Sequence, residues 1–283
     1  MSQLPVTVYS PESSLASPAK MLRDMFRDLA SGRELAFRLA VRDIKAQYRQ
    51  AFLGVLWAFI LPLANTVTWL FLSQSGIVKV SDTGLPYPVY VFTGTMLWAI
   101  FMDALNAPLQ QVNNAKSMLS KLNFPREALI VSGIYQTLFN ATIKVALMLA
   151  AMLLMGIQPG WGLLLLPLGV LSLVLVGSTL GMLITPVGLL YGDIGRALPL
   201  LMQFFMYLTP VVFPMPKDGI AATLFQLNPL TPLILTCRDW LTGQDPTMLA
   251  FFLVVNALAA CLLLIVWAIY RLAMPILIER MGG

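Results

Sequence analysis

Long stretches without Asp, Glu, Lys or Arg are the feature that most limits how this chain can fold. No side chain is charged between Arg49 and Lys79, and an α-helix needs only about 20 apolar residues to cross about 30 Å of hydrocarbon. Only 11% of all residues are charged, whereas soluble domains carry roughly 25%. Because an α-helix satisfies its own backbone hydrogen bonds in lipid, the sequence predicts an all-α polytopic membrane protein.

The gaps between charged residues predict six transmembrane helices with short connections. Spans one to six are expected at residues 52–75, 86–106, 127–155, 162–190, 196–214 and 247–271. Together they form one transmembrane domain over residues 51–271, with a cytoplasmic tail at 1–32 and a cytoplasmic C-terminus at 272–283.

The distribution of lysine and arginine predicts the orientation of these spans. With six spans, one side of the membrane receives fourteen of these residues and the other side receives three, Lys79, Lys217 and Arg238. The fourteen are Lys20, Arg23, Arg27, Arg33, Arg38, Arg42, Lys45, Arg49, Lys116, Lys121, Arg126, Arg196, Arg271 and Arg280. Cytoplasmic loops carry the excess of Lys and Arg, so both termini are expected in the cytoplasm.

Several classes of chemistry are excluded by the residues that the sequence lacks. It has no histidine and two cysteines, Cys237 and Cys261, which excludes a Ser-His-Asp triad, a His-ligated metal and a cysteine cluster. The H-E-x-x-H and G-x-S-x-G patterns expected of a membrane-embedded enzyme are also missing. No G-x-x-x-x-G-K-S/T phosphate loop occurs, so this chain is expected to bind no nucleotide cofactor.

Residues 33–50 have the pattern of an amphipathic helix lying in the cytoplasmic interface. Apolar side chains recur at spacings of 4, 3, 4 and 4, at Phe37, Val41, Ile44, Tyr48 and Phe52. A basic stripe runs beside them, formed by Arg38, Arg42, Lys45 and Arg49. Such a helix binds anionic lipid through its basic face. The alternative is a basic segment next to the membrane that has no function of its own.

The loop at 107–126 is polar and basic although the long runs that flank it carry almost no charge. Pro108 is expected to end span two, and a short amphipathic helix outside the membrane is expected after it, with Met118, Leu119 and Leu122 on one side. Pro125 and Glu127 suit the first turn of span three. The helix either contacts a partner or anchors the loop at the interface, and the residues alone leave both open.

The segment 218–245 is apolar but is interrupted by Asn228-Pro229 and Thr231-Pro232. Each half is too short to span, so a pair of short re-entrant helices in the outer leaflet is expected, with a cap on the headgroups as the alternative. Irregular backbone at that depth must face protein or a water-filled cavity. An outer gate is therefore expected at Asn228, Pro229, Pro232, Arg238 and Asp239.

Two charges, Asp103 and Lys144, fall inside spans at depths that differ by only about 5 Å. A charge there needs a partner or water. They either pair, line a pathway, or, for Lys144, snorkel to the interface. If a pathway exists, aromatic rings suited to the C–H faces of sugars are candidates to line it. These are Trp98, Phe101, Phe204 and Tyr207, with lipid-facing or packing roles as the alternative.

Five short motifs occur together in one order. They are "YPVYVFTGTMLWAIF", "KLNFPRE", "YGDI", "LTPVVFP" and "LNPLTPLILTCRDWLTG". In this order and spacing the chain resembles the membrane (permease) subunits of polysaccharide ABC exporters, of the Wzm-like O-antigen type related to capsule and teichoic-acid exporters. The resemblance covers nearly the whole chain after residue 33.

The resemblance implies a complex in the bacterial cytoplasmic membrane. Two copies of this chain would form a homodimer, contact membrane lipids and export a lipid-linked polysaccharide, with ATP and Mg²⁺ bound by a separate ABC ATPase subunit and no role for nucleic acid. The 107–126 loop would hold the coupling helix that docks on that ATPase. Carried onto this chain, the coupling residues are Lys116, Met118, Leu119, Lys121, Leu122, Phe124, Pro125, Arg126 and Glu127.

The chain departs from the resemblance at one motif. The family commonly has Tyr-Arg-Asp after span four, but here Gly192 precedes Asp193 and the nearest arginine is Arg196. Arg196 can replace the missing arginine only if this loop is helical. Two alternative functions stay open: an ABC permease for a drug or lipid, and an ion-coupled secondary transporter that uses Asp103 or Lys144, although the paired repeats typical of the latter are not visible.

Overall fold

The computed structural model describes residues 18–49, 56–77, 83–119 and 124–282. Within these ranges the chain forms ten α-helices, and a 3-10 turn at Trp161–Leu165 precedes the sixth. They are α1 (Pro18–Arg49), α2 (Trp57–Gln74), α3 (Tyr87–Asn114), α4 (Lys116–Leu119), α5 (Glu127–Leu154), α6 (Leu166–Leu190), α7 (Asp193–Tyr207), α8 (Gly219–Leu227), α9 (Leu230–Thr242) and α10 (Leu249–Gly282). The all-α, multi-pass prediction is confirmed over these ranges.

Four helical segments are long and apolar enough to cross a membrane, or five if α8 and α9 count as one bent span. The four are Tyr87–Asn114, Glu127–Leu154, Trp161–Leu190 and Leu249–Leu277. Predicted spans one and five correspond to α2 and α7, which have 18 and 15 residues. These lengths give about 27 and 22 Å, less than the hydrocarbon thickness. The count of six stays a prediction, and the start of span one lies outside the described residues.

Helix α3 is the centre of the bundle and is buried on nearly all sides. Gly177 of α6 makes this packing possible, because a Cβ placed there would lie only 2.8 Å from the carbonyl oxygen of Phe101. One turn further along α6, a Cβ at Gly181 would collide with the carbonyl oxygen of Leu105. Small residues let two membrane helices bring their backbones into contact, so α3 and α6 form the tightest pair in the core.

The expectation that Pro108 ends the second span is wrong. Helix α3 continues through Pro108 to Asn114, eight residues beyond the predicted end at 106. A proline inside a helix loses one hydrogen bond and its ring needs space. That space lies over Gly181, where a Cβ would be 3.0 Å from the proline ring. Because Gly181 of α6 leaves room for the ring, α3 can continue as a helix through Pro108.

Helix α1 begins at Pro18, well before the predicted start at 33, and it packs against α5 through a different face from the one expected. Phe37 is 59% exposed, whereas Ala36 and Ala40 are buried and Gly32 approaches Ala128 at the start of α5. Gly32, Ala36 and Ala40 are spaced by four residues, which brings small side chains onto one face. Close helix packing therefore outweighs the larger apolar stripe that the sequence pattern emphasised.

The end of the bundle where α3 finishes is closed by a second hydrophobic core. We call it the end cluster; it consists of Met25, Leu39, Val112, Ala115, Leu119, Leu129, Ile130, Met182, Val266, Trp267, Tyr270, Met274 and Leu277. Helix α10 continues past the predicted span end at 271 to Gly282, into the segment 272–283 that was predicted as a cytoplasmic C-terminus. Packing of Met274 and Leu277 explains why the helix does not stop at the predicted span end.

Candidate functional site

The segment predicted to dock on a partner is attached to the end cluster. Helix α4 is one short turn in which Leu119 is buried in that cluster, Met118 is half-buried and Lys116 is exposed. Phe124, Pro125 and Arg126 are half-buried, and Lys121 and Leu122 lie outside the described residues. Leu119 thus holds α4 onto the protein, which leaves Lys116 and part of Met118 to contact another chain.

Arg271 of α10 forms ion pairs with two carboxylates, Glu127 at the start of α5 and Asp28 of α1. Arg271 of α10 places Nη1 2.8 Å from Glu127 Oε1 and Nη2 2.6 Å from Asp28 Oδ2 of α1. Glu127 is buried, whereas Arg271 and Asp28 keep about a quarter of their side chains exposed, at 27% and 28%. We call these three residues the Arg271 bridge. It connects α1, α5 and α10 beside residues 116–127, which we call the coupling segment after the role predicted for them.

Sequence reasoning missed the Arg271 bridge because its members are far apart in the chain. Arg271 is separated from Glu127 by 144 positions and from Asp28 by 243. Each of the three is an ordinary charge at the end of an apolar or amphipathic segment. Charges at the ends of separate helices do not indicate which helices are neighbours. No local sequence pattern could therefore have paired these three residues.

The intramembrane charges are brought together. Lys144 Nζ lies 2.6 Å from Asp103 Oδ2 and also donates a hydrogen bond to the carbonyl oxygen of Ala99 at 3.3 Å. The Lys144 side chain is buried and Asp103 is partly exposed. Lys144 therefore points at its partner on α3 and does not snorkel, and each charge depends on the other inside the bundle.

Asp103 also lines a polar cavity of about 500 Å³ between α1, α3 and α5. Two hydrogen bonds link the three helices here: Gln111 of α3 donates to the lining residue Gln136 at 2.8 Å, and Gln136 donates to the lining residue Gln47 at 3.0 Å. The lining residues are Asp43, Ala46, Gln47, Asp103, Asn106, Ala107, Gln110, Asn114, Gln136, Thr137 and Asn140. Only Asp103 was singled out from the sequence, although polar residues three and four apart on α3 were the available signal.

The four aromatic residues predicted to line a pathway fall into two groups. Trp98 and Phe101 are buried in the main core of the single chain, 5.4 Å apart between ring centroids, and their role in lining a channel stays a prediction. Their helix, α3, is covered on nearly all sides, and position along a span does not reveal that. Phe204 is 70% exposed on α7 and Tyr207 is partly exposed.

The predicted outer gate is a braced turn in which Arg238 is buried. Arg238 is 2% exposed, donates to the carbonyl oxygens of Pro210 and Val211 at 2.8 and 3.1 Å, and lies 3.7 Å over the ring of Tyr90. Asp239 accepts a hydrogen bond from the backbone N–H of Thr247 at 3.0 Å. These contacts fasten the turn that follows α7 to α3 and α9.

The bend between α8 and α9 is held by Asn228. The two helices meet at 82°, with Pro229 preceding α9 and Pro232 buried in its first turn. Asn228 donates to the carbonyl oxygen of Leu208 at 2.9 Å and accepts from the backbone N–H of Leu230 at 2.9 Å. A bent apolar pair of this kind fits either a broken span or a re-entrant loop.

The loop after α6 becomes helical at Asp193. Both Asp193 and Arg196 are exposed, and no ion pair joins them in the described structure. Helical geometry would let Arg196 face the same side as Asp193, one turn away.

Comparison with known proteins places this arrangement in a family. The family model described as "ABC-2 type transporter" matches residues 34–239. The chain belongs to the ABC-2 type transporter family. The matched region contains the polar cavity, the Asp103–Lys144 pair and the coupling segment, whereas Asp28 and Arg271 lie outside it.

Relatives of this ABC-2 type chain include proteins named as export permeases. It is 25% identical over 253 residues to the O-antigen export system permease protein RfbA of Myxococcus xanthus, covering 86% of this chain and 93% of that protein. A protein of the same name from Klebsiella pneumoniae is 24% identical over 206 residues, 70% of this chain and 76% of that one. The polysialic acid transport protein KpsM of Escherichia coli is 22% identical over 205 residues, 71% and 78% of the two chains.

Proposed function

We propose that this chain is the transmembrane subunit of an ABC exporter that moves a lipid-linked polysaccharide, of the O-antigen kind, across the bacterial cytoplasmic membrane. The observation that carries this proposal is the alignment over 93% of the length of an O-antigen export permease. The permease subunits of ABC transporters are not enzymes themselves, and ATP with Mg²⁺ belongs on a separate ATPase chain.

The coupling segment is the surface offered to that ATPase. Lys116 is exposed while Leu119 anchors the same turn in the end cluster, so a push on α4 reaches α3 and α5 directly. The Arg271 bridge extends the path to α1 and α10, because one guanidinium holds carboxylates on both. Transmission of nucleotide-driven motion would use packed helices and this charge network together.

The complex is proposed to contain two copies of this chain, with both termini in the cytoplasm and six spans per copy. Helices α2 and α7 are the shortest candidates for spans and carry exposed apolar side chains such as Phe71, Leu200 and Phe204. A second copy placed against them would enclose a pathway bordered by α7 aromatics. Introduced cysteines test the topology: one at Asn114 should resist membrane-impermeant thiol reagents in intact cells, and one at Asp218 should react.

Deletion of the gene tests the function. Cells without this chain should lose the long polysaccharide from the surface and accumulate it inside, and a plasmid copy should restore export. A drug or lipid exporter would instead leave surface polysaccharide unchanged and alter drug sensitivity or lipid distribution. Normal surface polysaccharide in the deletion strain would reject the proposed function.

A further inference from the structure

The polar cavity is built by three helices that each turn one hydrophilic stripe toward it. On α3 the stripe consists of Asp103, Asn106, Gln110 and Asn114, spaced by 3, 4 and 4 residues. On α5, Gln136 and Asn140 are four apart, and Lys144 follows at the same interval. On α1 the stripe is Asp43 and Gln47. Residues at these spacings share one face of a helix. In the folded chain the three polar faces line the same cavity.

This concentration of amides is costly in a membrane helix unless something polar occupies the space. Burying an amide away from water without a hydrogen-bond partner is unfavourable in free energy. Helices α3 and α5 are two of the segments able to cross the bilayer. The hydrogen bonds among Gln111, Gln136 and Gln47 use only part of the capacity of these three amides, because each amide has two donors and two acceptor lone pairs. Asp43 Oδ2 is buried at the cavity and accepts no hydrogen bond in the described structure.

The chemistry of the walls selects one class of ligand. Amide side chains both donate and accept hydrogen bonds, as hydroxyl groups do. The two charged lining residues are both carboxylates, Asp43 and Asp103. Their positive partners, Arg42 at 2.7 Å and Lys144 at 2.6 Å, are already engaged. None of the described lining residues is cationic and both nearby cations are paired with the carboxylates, so the lining offers no free positive charge to bind a phosphate group.

We propose that this cavity, which we call the amide cavity, binds an uncharged, hydroxyl-rich segment of the exported glycan in the half of the bundle nearest the coupling segment. The proposal rests on the proposed function and deepens it by naming a contact site for the sugar part of the substrate. The cavity runs along α3 from Asp103 to Asn114, about 16 Å at 1.5 Å per residue. Glycan bound there would lie between α1 and the two helices that the coupling segment connects.

Photocrosslinking in cells tests the proposal. A photoreactive amino acid at Gln110, which is exposed at the cavity, should form an adduct that stains for carbohydrate in cells that make the glycan. The matched control is the same amino acid at Leu258 of α10, which is apolar and exposed; it should form adducts with phospholipid. An adduct at Gln110 that carries phospholipid alone, or that appears equally in cells unable to make the glycan, would overturn the proposal.

A variant that leaves the fold intact provides the second measurement. Gln110→Leu combined with Asn114→Leu removes two exposed amides for which no hydrogen bond to a described residue is present. Loss of two hydrogen bonds to the substrate should lower the export rate at limiting glycan by about tenfold, with unchanged membrane yield and ATPase copurification. Gln110→Asn with Asn114→Gln keeps both amides and should recover most of the export that the double leucine variant loses.

Separate results would reject the proposed function and the glycan site. If the deletion strain exports glycan normally, the proposed function is wrong. If export requires the chain but the double leucine variant exports at the wild-type rate and Gln110 gives no glycan adduct, the amide cavity does not bind glycan, and the proposed function stands without it.

Discussion

Each end of the bundle holds one arginine among packed helices, but the two arginines are held in different ways. Arg271, beside the end cluster, is 27% exposed and lies between two carboxylates on different helices. Arg238, near the start of α3, is 2% exposed and is held by backbone carbonyls and the ring of Tyr90. The end cluster includes Val112 and Arg238 contacts Tyr90, and these two residues of α3 are about 33 Å apart along the helix axis.

The difference has a consequence for movement. Water can reach Arg271 and its partly exposed partner Asp28, so we expect α1 to shift relative to α10 at modest cost, whereas the contact with the buried Glu127 is costly to lose. Arg238 has no such substitute, because loss of its contacts leaves a buried charge and buried carbonyls unsatisfied. We therefore expect the end with the coupling segment to rearrange more easily than the opposite end.

The largest expected effect is at the fixed end. Arg238→Met removes the donors for the carbonyls of Pro210 and Val211 and should lower the free energy of unfolding by about 3 kcal/mol or more. Thermal unfolding of the purified protein in detergent measures this. Lys217→Met, at an exposed lysine of the same region, should leave Tm nearly unchanged. Equal shifts in the two variants would break the comparison between the two ends.

A smaller loss is expected at the end that rearranges. Arg271→Gln leaves the buried Glu127 carboxylate without its partner and should cost about 2 kcal/mol. Glu127→Gln in the same chain should recover part of that loss, giving a coupling energy of about 1 kcal/mol or more in a double-mutant cycle. Asp28→Asn should cost less, since Asp28 is more exposed than Glu127. A larger loss for Asp28→Asn than for Arg271→Gln would show that the bridge is centred on α1.

The charge pair between the two ends sharpens the comparison. Asp103→Asn and Lys144→Met should each lower the yield of folded protein, and the double variant should recover much of it, with a coupling of about 1 kcal/mol. Detergent-stable yield by size-exclusion chromatography gives the three values. Strictly additive losses would mean that the 2.6 Å contact contributes nothing to stability and that both groups serve the cavity.

The smallest effect on stability is expected at the coupling segment. Lys116→Glu changes an exposed side chain and should alter the free energy of unfolding by less than about 0.5 kcal/mol. It should weaken copurification of the proposed ATPase, and the defect should change with ionic strength because an exposed charge is screened. Lys20→Glu, exposed on α1, serves as the control. Unaffected copurification for Lys116→Glu would remove this residue from the docking surface.

Apolar length predicted the long helices well. Span three was placed at 127–155 and α5 is Glu127–Leu154, because an uncharged stretch between clear stop signals has one reasonable helix. The proximity of Asp103 and Lys144 followed from their similar depths. The predicted end of span two at Pro108 was wrong, because α3 continues through this proline in the space that Gly181 of α6 leaves. The buried face of α1, the burial of Trp98 and the Arg271 bridge depend on distant packing in the same way.

Stimulation of ATP hydrolysis by substrate tests the central claim, that the end bearing the Arg271 bridge transmits motion. Wild-type and Arg271→Gln/Glu127→Gln proteins would be reconstituted with the proposed ATPase in lipid vesicles and assayed with and without the lipid-linked glycan. The account predicts that the double variant retains the ATPase subunit and its basal hydrolysis but loses most of the stimulation. Full stimulation in the double variant, with the glycan bound and exported as in wild type, would contradict it.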